Sequence, residues 1–411
     1  MNPAKNQDKV KPKGTTEDAG EQLSLMEPTL ISESSRQRGG LLELAFELGA
    51  RAAGFRRSLP TGLLTALSDL VRSMNCYYSN LIEGHDTHPV DIERALNNDF
   101  SSDPAKRDLQ LEAKAHIAVQ RWIDQGGLGG PAATVASVSE IHRRFGEALP
   151  DDLLWAENPQ TKQRERVIPG AFRQSYVQVG RHVAVSPGAV PRFLARYEAV
   201  FSRLGRAESV LAAAAAHHRL LWIHPFPEMN GRVARLVSHA TLLDALNTGG
   251  VWSIARGLAR RDTDYKAHLG NCDLQRRNDL DGRGNLSEET LADFTRFFLE
   301  VCLDQVEFME SLMQPDRLRL RILGWAAEEE KLGTLPAKAG KVLEAMLYRG
   351  ELSRADIPEL LGVQTRQTRR ILSALHGYGV IASPSSRAPW RLAFPATLAP
   401  RWMPGLFPER R

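Results

Sequence analysis

The sequence predicts a mainly α-helical body carrying one β-hairpin, followed by a small basic module of helices and strands. Three observations point there. Apolar residues recur at three- and four-residue spacing over most of residues 41–313, whereas residues 166–185 alternate like a strand pair. Residues 336–411 hold ten Arg and two Lys against five acids, a net of +7 that leaves −3 for residues 1–335 and sets the end of the chain apart by charge.

The elements follow in order. Residues 1–38 are rich in Lys, Gln, Asp, Gly, Pro and Ser; burial there cannot offset ordering entropy, so a disordered leader is expected. An N-terminal helical region spans 39–160, with helices marked by Leu42, Ala45 and Leu48, by Leu63, Leu67, Leu70 and Met74, and by Leu109, Ala113, Ile117 and Trp122. In a core over 161–315, Pro169 and Gly170 open the hairpin, whose alternation runs through Tyr176, Val177, Val179, Gly180, His182, Val183 and Val185. Helical spacing resumes at Pro191, continues through the Ala-rich stretch 209–223, restarts near Asn230 and returns over 291–313. A linker helix is expected over 316–336, and a loosely packed tail over 396–411.

Composition excludes several classes. The longest uninterrupted apolar run, residues 210–216, is far short of the ~18 residues a membrane helix needs. The first residues hold no apolar stretch of signal-peptide length, and Cys76, Cys272 and Cys302 are odd in number and dispersed, with neither disulfide-framework nor zinc spacing. A soluble, reducing, cytoplasmic setting with no membrane partner is expected.

The segment that carries chemistry is 224–235, His-Pro-Phe-Pro-Glu-Met-Asn-Gly-Arg-Val-Ala-Arg. Pro225 and Pro227 block helix continuation, so a short loop must join two helices. Such a loop sets backbone N–H groups and the positive end of the second helix where an anion can sit. Arg232 and Arg235, three apart, are neighbours on its first turn. A phosphate site is one reading, with His224 as a titratable base and Glu228 as a hard oxygen ligand for magnesium. Taken singly, the same residues also fit surface ion pairs and an ordinary helix end.

The whole string resembles the Fic domain family, whose motif is H-x-F-x-[DE]-G-N-G-R-x-x-R. His224, Phe226, Glu228, Asn230, Gly231, Arg232 and Arg235 match at fixed spacing, and the resemblance covers roughly residues 60 to 310. It implies a mainly α Fic-type helical domain with a β-hairpin flap. It also implies that His224 is the general base for a Ser, Thr or Tyr hydroxyl of a target protein, the same chain included. That hydroxyl would attack the α-phosphate of ATP, releasing pyrophosphate and leaving AMP on the target. Glu228 would hold Mg²⁺, Asn230 and Gly231 would form part of the anion cradle, and Arg232 and Arg235 would bind the phosphate tail. Met229 stands where the family usually has Gly. Met disfavours the left-handed backbone that Gly permits, which leaves the nucleotide pose and the choice of nucleotide open.

A second string, Ser79-Asn-Leu-Ile-Glu83-Gly84, ends a helix, and from spacing alone it is an ordinary helix end with a solvated Glu. It also resembles the family's inhibitory motif, [ST]-x-x-x-E-[GN], in the class with an N-terminal inhibitory helix. That resemblance implies that Glu83 pairs with Arg235 and occupies the γ-phosphate's place. The flap would receive an extended target segment by strand addition, with Val179, Gly180, Arg181 and His182 near base and ribose. Tyr265 resembles a position lining the adenine pocket, though core packing stands equally open. His217 and His218 are adjacent on a helix, so one is expected to face the core and both to be structural. His85 and His88, flanking Asp86, are expected in a solvated loop.

Over 337–395 the pattern is three helices, then strands near 380–383 and 390–393, the layout of a winged helix-turn-helix with Arg366, Arg369 and Arg370 on its third helix. Partners left open there are DNA or a protein, and a homodimer is also open. The rival reading of the whole chain is a DNA-binding transcriptional regulator with a drifted or inactive Fic domain.

Overall fold

Long helices dominate because their sequences supply both an apolar stripe and defined ends. The structure, a computed structural model, describes residues 17–157 and 164–408. Five helices form the N-terminal region: α1 (Arg38–Ser58), α2 (Thr61–Ile82), α3 (Pro89–Leu96), α4 (Pro104–Asp124) and α5 (Val135–Glu147). Asp103 caps α4 by accepting from the backbone N–H of Ala105 at 3.0 Å, with Pro104 at the first helical position; Thr134 caps α5 through Ser137 N–H at 3.0 Å. Two short antiparallel pairs follow, β1 (Trp155–Glu157) with β2 (Arg164–Arg166) and β3 (Gln178–Val179) with β4 (His182–Val183). The second is the expected hairpin, reduced to two residues per strand.

Six helices complete the body: α6 (Val190–Phe201), α7 (Arg206–Ile223), α8 (Asn230–Leu246), α9 (Ala255–Arg260), α10 (Asp262–Asn271) and α11 (Glu288–Leu312). α7 is buried on nearly every side from Val210 to Leu220, so it forms the centre, with α6, α8 and α11 packed around it. His217 and His218 are therefore both buried, against the expectation that one would face outward. His217 meets Ser238 and Tyr265; His218 meets Asp273 and Arg219.

α12 (Pro315–Leu332) leads to α13 (Ala339–Arg349), β5 (Glu351–Leu352), α14 (Ile357–Leu361), α15 (Thr365–Gly377), β6 (Ile381–Ala382) and β7 (Trp390–Leu392), the strands forming an antiparallel sheet in the order β5-β7-β6. Strand β5 was not expected from the sequence. This module lies directly on α2. A Cβ at Gly62 would stand 2.2 Å from the Gly350 carbonyl oxygen, so the two backbones touch where only glycine fits.

Two expectations are corrected. Residues 17–37, placed in the disordered leader, pack on the body: Met26 and Ile31 are buried, Arg192 bonds Asp18 at 2.8 Å, Arg196 bonds Glu27 at 2.8 Å, and Arg219 donates to the Pro28 carbonyl at 2.7 Å. Charge-assisted bonds from body arginines hold a segment that its own apolar content would not. The segment expected as a loosely packed tail contains α16 (Ala399–Trp402) and buries Trp402, Met403 and Leu406; the Tyr78 hydroxyl donates to the Leu406 carbonyl at 2.9 Å. Residues 1–16 of the expected leader, 158–163 across the expected boundary at 160/161, and 409–411 lie outside the described residues. Among the described residues no helix is long and apolar enough to cross a membrane.

Candidate active site

The loop between α7 and α8 is built from its own residues. His224 ends α7 in the left-handed region, φ 50°, with its N–H on the Leu220 carbonyl at 3.1 Å; Met229 precedes α8 with φ 67°. The position where the family motif has Gly thus does require the left-handed backbone, and Met adopts it at a cost of about 1–2 kcal/mol. Asn230 clips the loop shut: its Oδ1 accepts from Phe226 N–H at 3.0 Å and its Nδ2 donates to the Phe226 carbonyl at 2.8 Å. Its side chain therefore shapes the cradle. The fully buried Phe226 ring stacks on His142 at 3.8 Å.

The first α8 turn presents backbone N–H groups that have no partner within the helix, at the positive end of its dipole. Two guanidinium groups flank this turn, both buried. Arg235 donates to Ser79 Oγ at 2.9 Å, to the Ser79 carbonyl at 3.0 Å, and to the Glu83 carboxylate. Ser79 and Glu83, at the end of α2, therefore meet Arg235, the pairing that the likeness to the inhibitory motif implied for Glu83. Gly231 makes room for it, since a Cβ there would lie 2.3 Å from Glu83 Oε1.

Arg232 is held by residues that sequence reasoning did not single out for this role. Glu112 Oε2, from α4, accepts from its Nη2 at 3.0 Å, and His85 Nδ1 lies 2.8 Å from both groups. His85, expected in a solvated loop, is thus part of the site. The Arg232 guanidinium lies 5.8 Å from the Phe145 ring, and its Nε is buried with no hydrogen-bond partner among the described residues. A buried donor left unpaired is costly, and an arriving acceptor such as a phosphate oxygen or water would satisfy it.

The electrostatics follow from this packing. Burial, reinforced by the Arg173 cation, pushes His224 down to about 4, so its imidazole is neutral at pH 7. Burial alone would raise Glu83 and Glu112. Arg235 overrides it at Glu83, and His85 with Arg232 overrides it at Glu112, so both lie below the usual carboxylate range. Glu228 is exposed at the rim, yet the surrounding chain displaces enough water to raise its carboxyl, Arg232 pulling the other way.

The hairpin residues divide. Val179, Gly180 and Arg181 are exposed at its tip, whereas His182 is tied inward, its Nε2 2.7 Å from the Trp222 carbonyl. Tyr265 is a core residue, its hydroxyl 2.6 Å from His217 Nε2. Among the described residues no group of three or more His, Cys, Asp or Glu converges as a metal site. A lone carboxylate, Glu228, suits Mg²⁺ when phosphate oxygens and water supply the remaining ligands.

Comparison with known proteins bears on the same loop. Residues 133–242 match the model of the Fic/DOC family. The chain therefore carries a Fic domain, and the loop with both its arginines lies inside it. It is distantly related to protein adenylyltransferases: over 172 residues it is 26% identical to "Protein adenylyltransferase Fic" of Drosophila erecta and to that of Drosophila melanogaster, covering 41% of this chain and 32% of each relative. The matched region is about a third of those relatives' length. A Fic family protein from Desulfovibrio desulfuricans G20 superposes over 89% of this chain and 98% of its own with a TM-score of 0.51 at 17% identity, which shows a shared, mainly helical fold. Ser79, Glu83 and Glu112 fall outside the 133–242 match.

Proposed function

We propose that this protein is an autoinhibited protein adenylyltransferase that moves AMP from ATP to a Ser, Thr or Tyr hydroxyl of a target protein. The observation that carries the reading is the convergence, on one loop, of a neutral histidine and a helix N-terminus flanked by two buried arginines. His224 takes the proton of the incoming hydroxyl, whose oxygen bonds to the α-phosphorus as the bond to the pyrophosphate leaving group breaks. Arg232, Arg235 and the first N–H groups of α8 hold the phosphates. The residues fit Mg²⁺, which Glu228 would hold and which would neutralise phosphate charge. The hairpin is the proposed receiver of the target segment, with Val179, Gly180, Arg181 and His182 proposed to lie near the base and ribose of the nucleotide. Glu83 on Arg235 is the proposed brake, a carboxylate standing where phosphate would bind.

The test is incubation of purified Glu83→Gly protein with Mg²⁺ and each labelled nucleoside triphosphate, with His224→Ala in the same background as control, read by intact mass. A His224-dependent gain of one adenylate is expected. No gain with any nucleotide, in folded protein, contradicts the reading.

A second activity is proposed for the C-terminal module, read as a winged helix-turn-helix that binds DNA. Arg366, Arg369 and Arg370 are exposed on α15, and among the described residues none pairs with a carboxylate. Such a surface suits phosphates and guanine edges. A gel-shift assay on duplex DNA across a salt series, with Arg369→Ala as control, tests it; no shift at low salt contradicts it.

A further inference from the structure

Arg173 lies in the segment between β2 and β3, fully buried, and among the described residues no carboxylate pairs with it. Its donors go to carbonyls. Nε donates to His224 O at 2.7 Å, Nη1 to Ser175 O at 2.8 Å, and Nη2 to Val185 O at 2.6 Å and Ile223 O at 3.3 Å. Its own backbone N–H donates to Pro225 O at 2.9 Å. Three consecutive carbonyls at the end of α7 are thus gathered by one residue, which also grips both legs of the hairpin, at Ser175 and Val185.

A buried cation with no carboxylate in contact among the described residues is costly, and burial pushes Arg173 down to about 10, with the more distant Glu165 and Glu21 pulling the other way. What the arginine adds is reach. The last carbonyls of α7 have no helical donor, His224 sits in the strained left-handed region, and a single rigid fork satisfies the former while fixing the latter. We propose that Arg173 is a positioning residue: it holds the His224 turn in its working conformation and locks that turn to the base of the hairpin. This rests on the reading of His224 as general base and of the hairpin as the target's receiver. Base and target hydroxyl would then keep their registry, because one side chain anchors both elements.

The location also sets the field at His224. The charged or titratable groups facing the ring are Arg173 and His182 from the hairpin segment and Glu83 from α2, with the Leu221 carbonyl as a hydrogen-bond partner. Removing the Arg173 cation favours the imidazolium, so His224 should titrate at higher pH; Lys at this position keeps the charge but cannot reach all four carbonyls.

The experiment uses the full chain in the Glu83→Gly background, comparing Arg173→Gln and Arg173→Lys. Arg173→Gln is expected to lower kcat by about tenfold or more while the Mg-ATP dissociation constant stays within about threefold, because Arg232 and Arg235 are untouched. The His224 ring resonance, assigned by its loss in His224→Asn, is expected to titrate at higher pH in Arg173→Gln and near the parent value in Arg173→Lys. Hairpin amides from Val177 to Ala184 are expected to exchange faster in both variants, without global unfolding. If Arg173→Gln does not fold, Arg173→Lys is read alone, with lowered kcat and faster hairpin exchange supporting the role. Unchanged kcat, titration and hairpin exchange in a folded variant overturn the proposal. So does a parallel loss of kcat and ATP affinity, which marks a merely structural residue. If the Glu83→Gly parent itself transfers nothing, the transferase reading fails on its own, and titration and exchange still decide the role of Arg173.

Discussion

Two helices of this chain begin with arginines three residues apart, Arg232 and Arg235 on α8 and Arg366 and Arg369 on α15, and their surroundings are opposite. On α8 both guanidinium groups are buried and each is met by a carboxylate from another helix, Glu112 from α4 and Glu83 from α2. On α15 both are exposed, and among the described residues neither has a carboxylate partner. Spacing is therefore silent on whether arginines form an enclosed anion site or an open surface. What separates the two is a carboxylate delivered from more than a hundred residues away. The buried pair is pre-assembled, and an incoming phosphate must displace or share a carboxylate. The exposed set is met by any polyanion that reaches it, and salt screens that encounter.

The largest expected contrast is in stability. Glu112→Ala leaves the Arg232 cation buried without its partner and is expected to cost about 3 kcal/mol in urea denaturation, against less than about 0.5 kcal/mol for Arg369→Ala. Equal costs would erase the distinction between the two helices. Acid should act on the same core. Burial pushes His142, His218 and His224 down to about 4 and His116 and His217 to about 3. The unfolded chain takes up these protons near pH 6.5 and the folded chain only near 4 or below, so folding stability is full above about 6.5 and falls as pH drops through that window. A urea midpoint unchanged between pH 7 and pH 5 would contradict this.

Smaller effects sharpen the other half of the comparison. Replacing Arg366, Arg369 and Arg370 together by Ala should weaken duplex DNA binding by about tenfold or more and flatten its salt dependence; an unaltered salt slope would remove α15 from the interface. Met229→Gly relieves a left-handed non-glycine residue and should stabilise the fold by about 1 kcal/mol, read by thermal melting. A lower melting temperature would mean that the packing of the buried Met side chain outweighs the backbone strain.

Much of this was legible from periodicity and punctuation. α2 covers the apolar run from Leu63 to Met74, α8 starts at Asn230 where helical spacing restarts, and the loop 224–229 lies between two helices as its prolines required. The pairing of Ser79 and Glu83 with Arg235 came from a motif likeness, since a helix end with a glutamate carries no local sign of its partner. Arg173, Glu112 and His85 were not legible as site residues. Arg173 works through main-chain carbonyls, which every residue possesses, and Glu112 meets Arg232 across 120 positions. The packing of residues 17–37 was hidden for a related reason: the apolar count that suggested disorder takes no account of Arg192, Arg196 and Arg219 waiting on the body. His217 and His218 were misjudged together because a helix buried all round has no outward face.

The most direct measurement is calorimetric titration of Mg-ATP into the intact protein, the Glu83→Gly variant and the Glu83→Gly/Arg235→Ala double variant. If the Glu83 carboxylate occupies the place of a phosphate on Arg235, Glu83→Gly binds at least about tenfold more tightly than the parent, and the double variant loses that gain. Equal affinity in parent and Glu83→Gly would show that Glu83 withholds nothing from the nucleotide, and the brake would have to be abandoned.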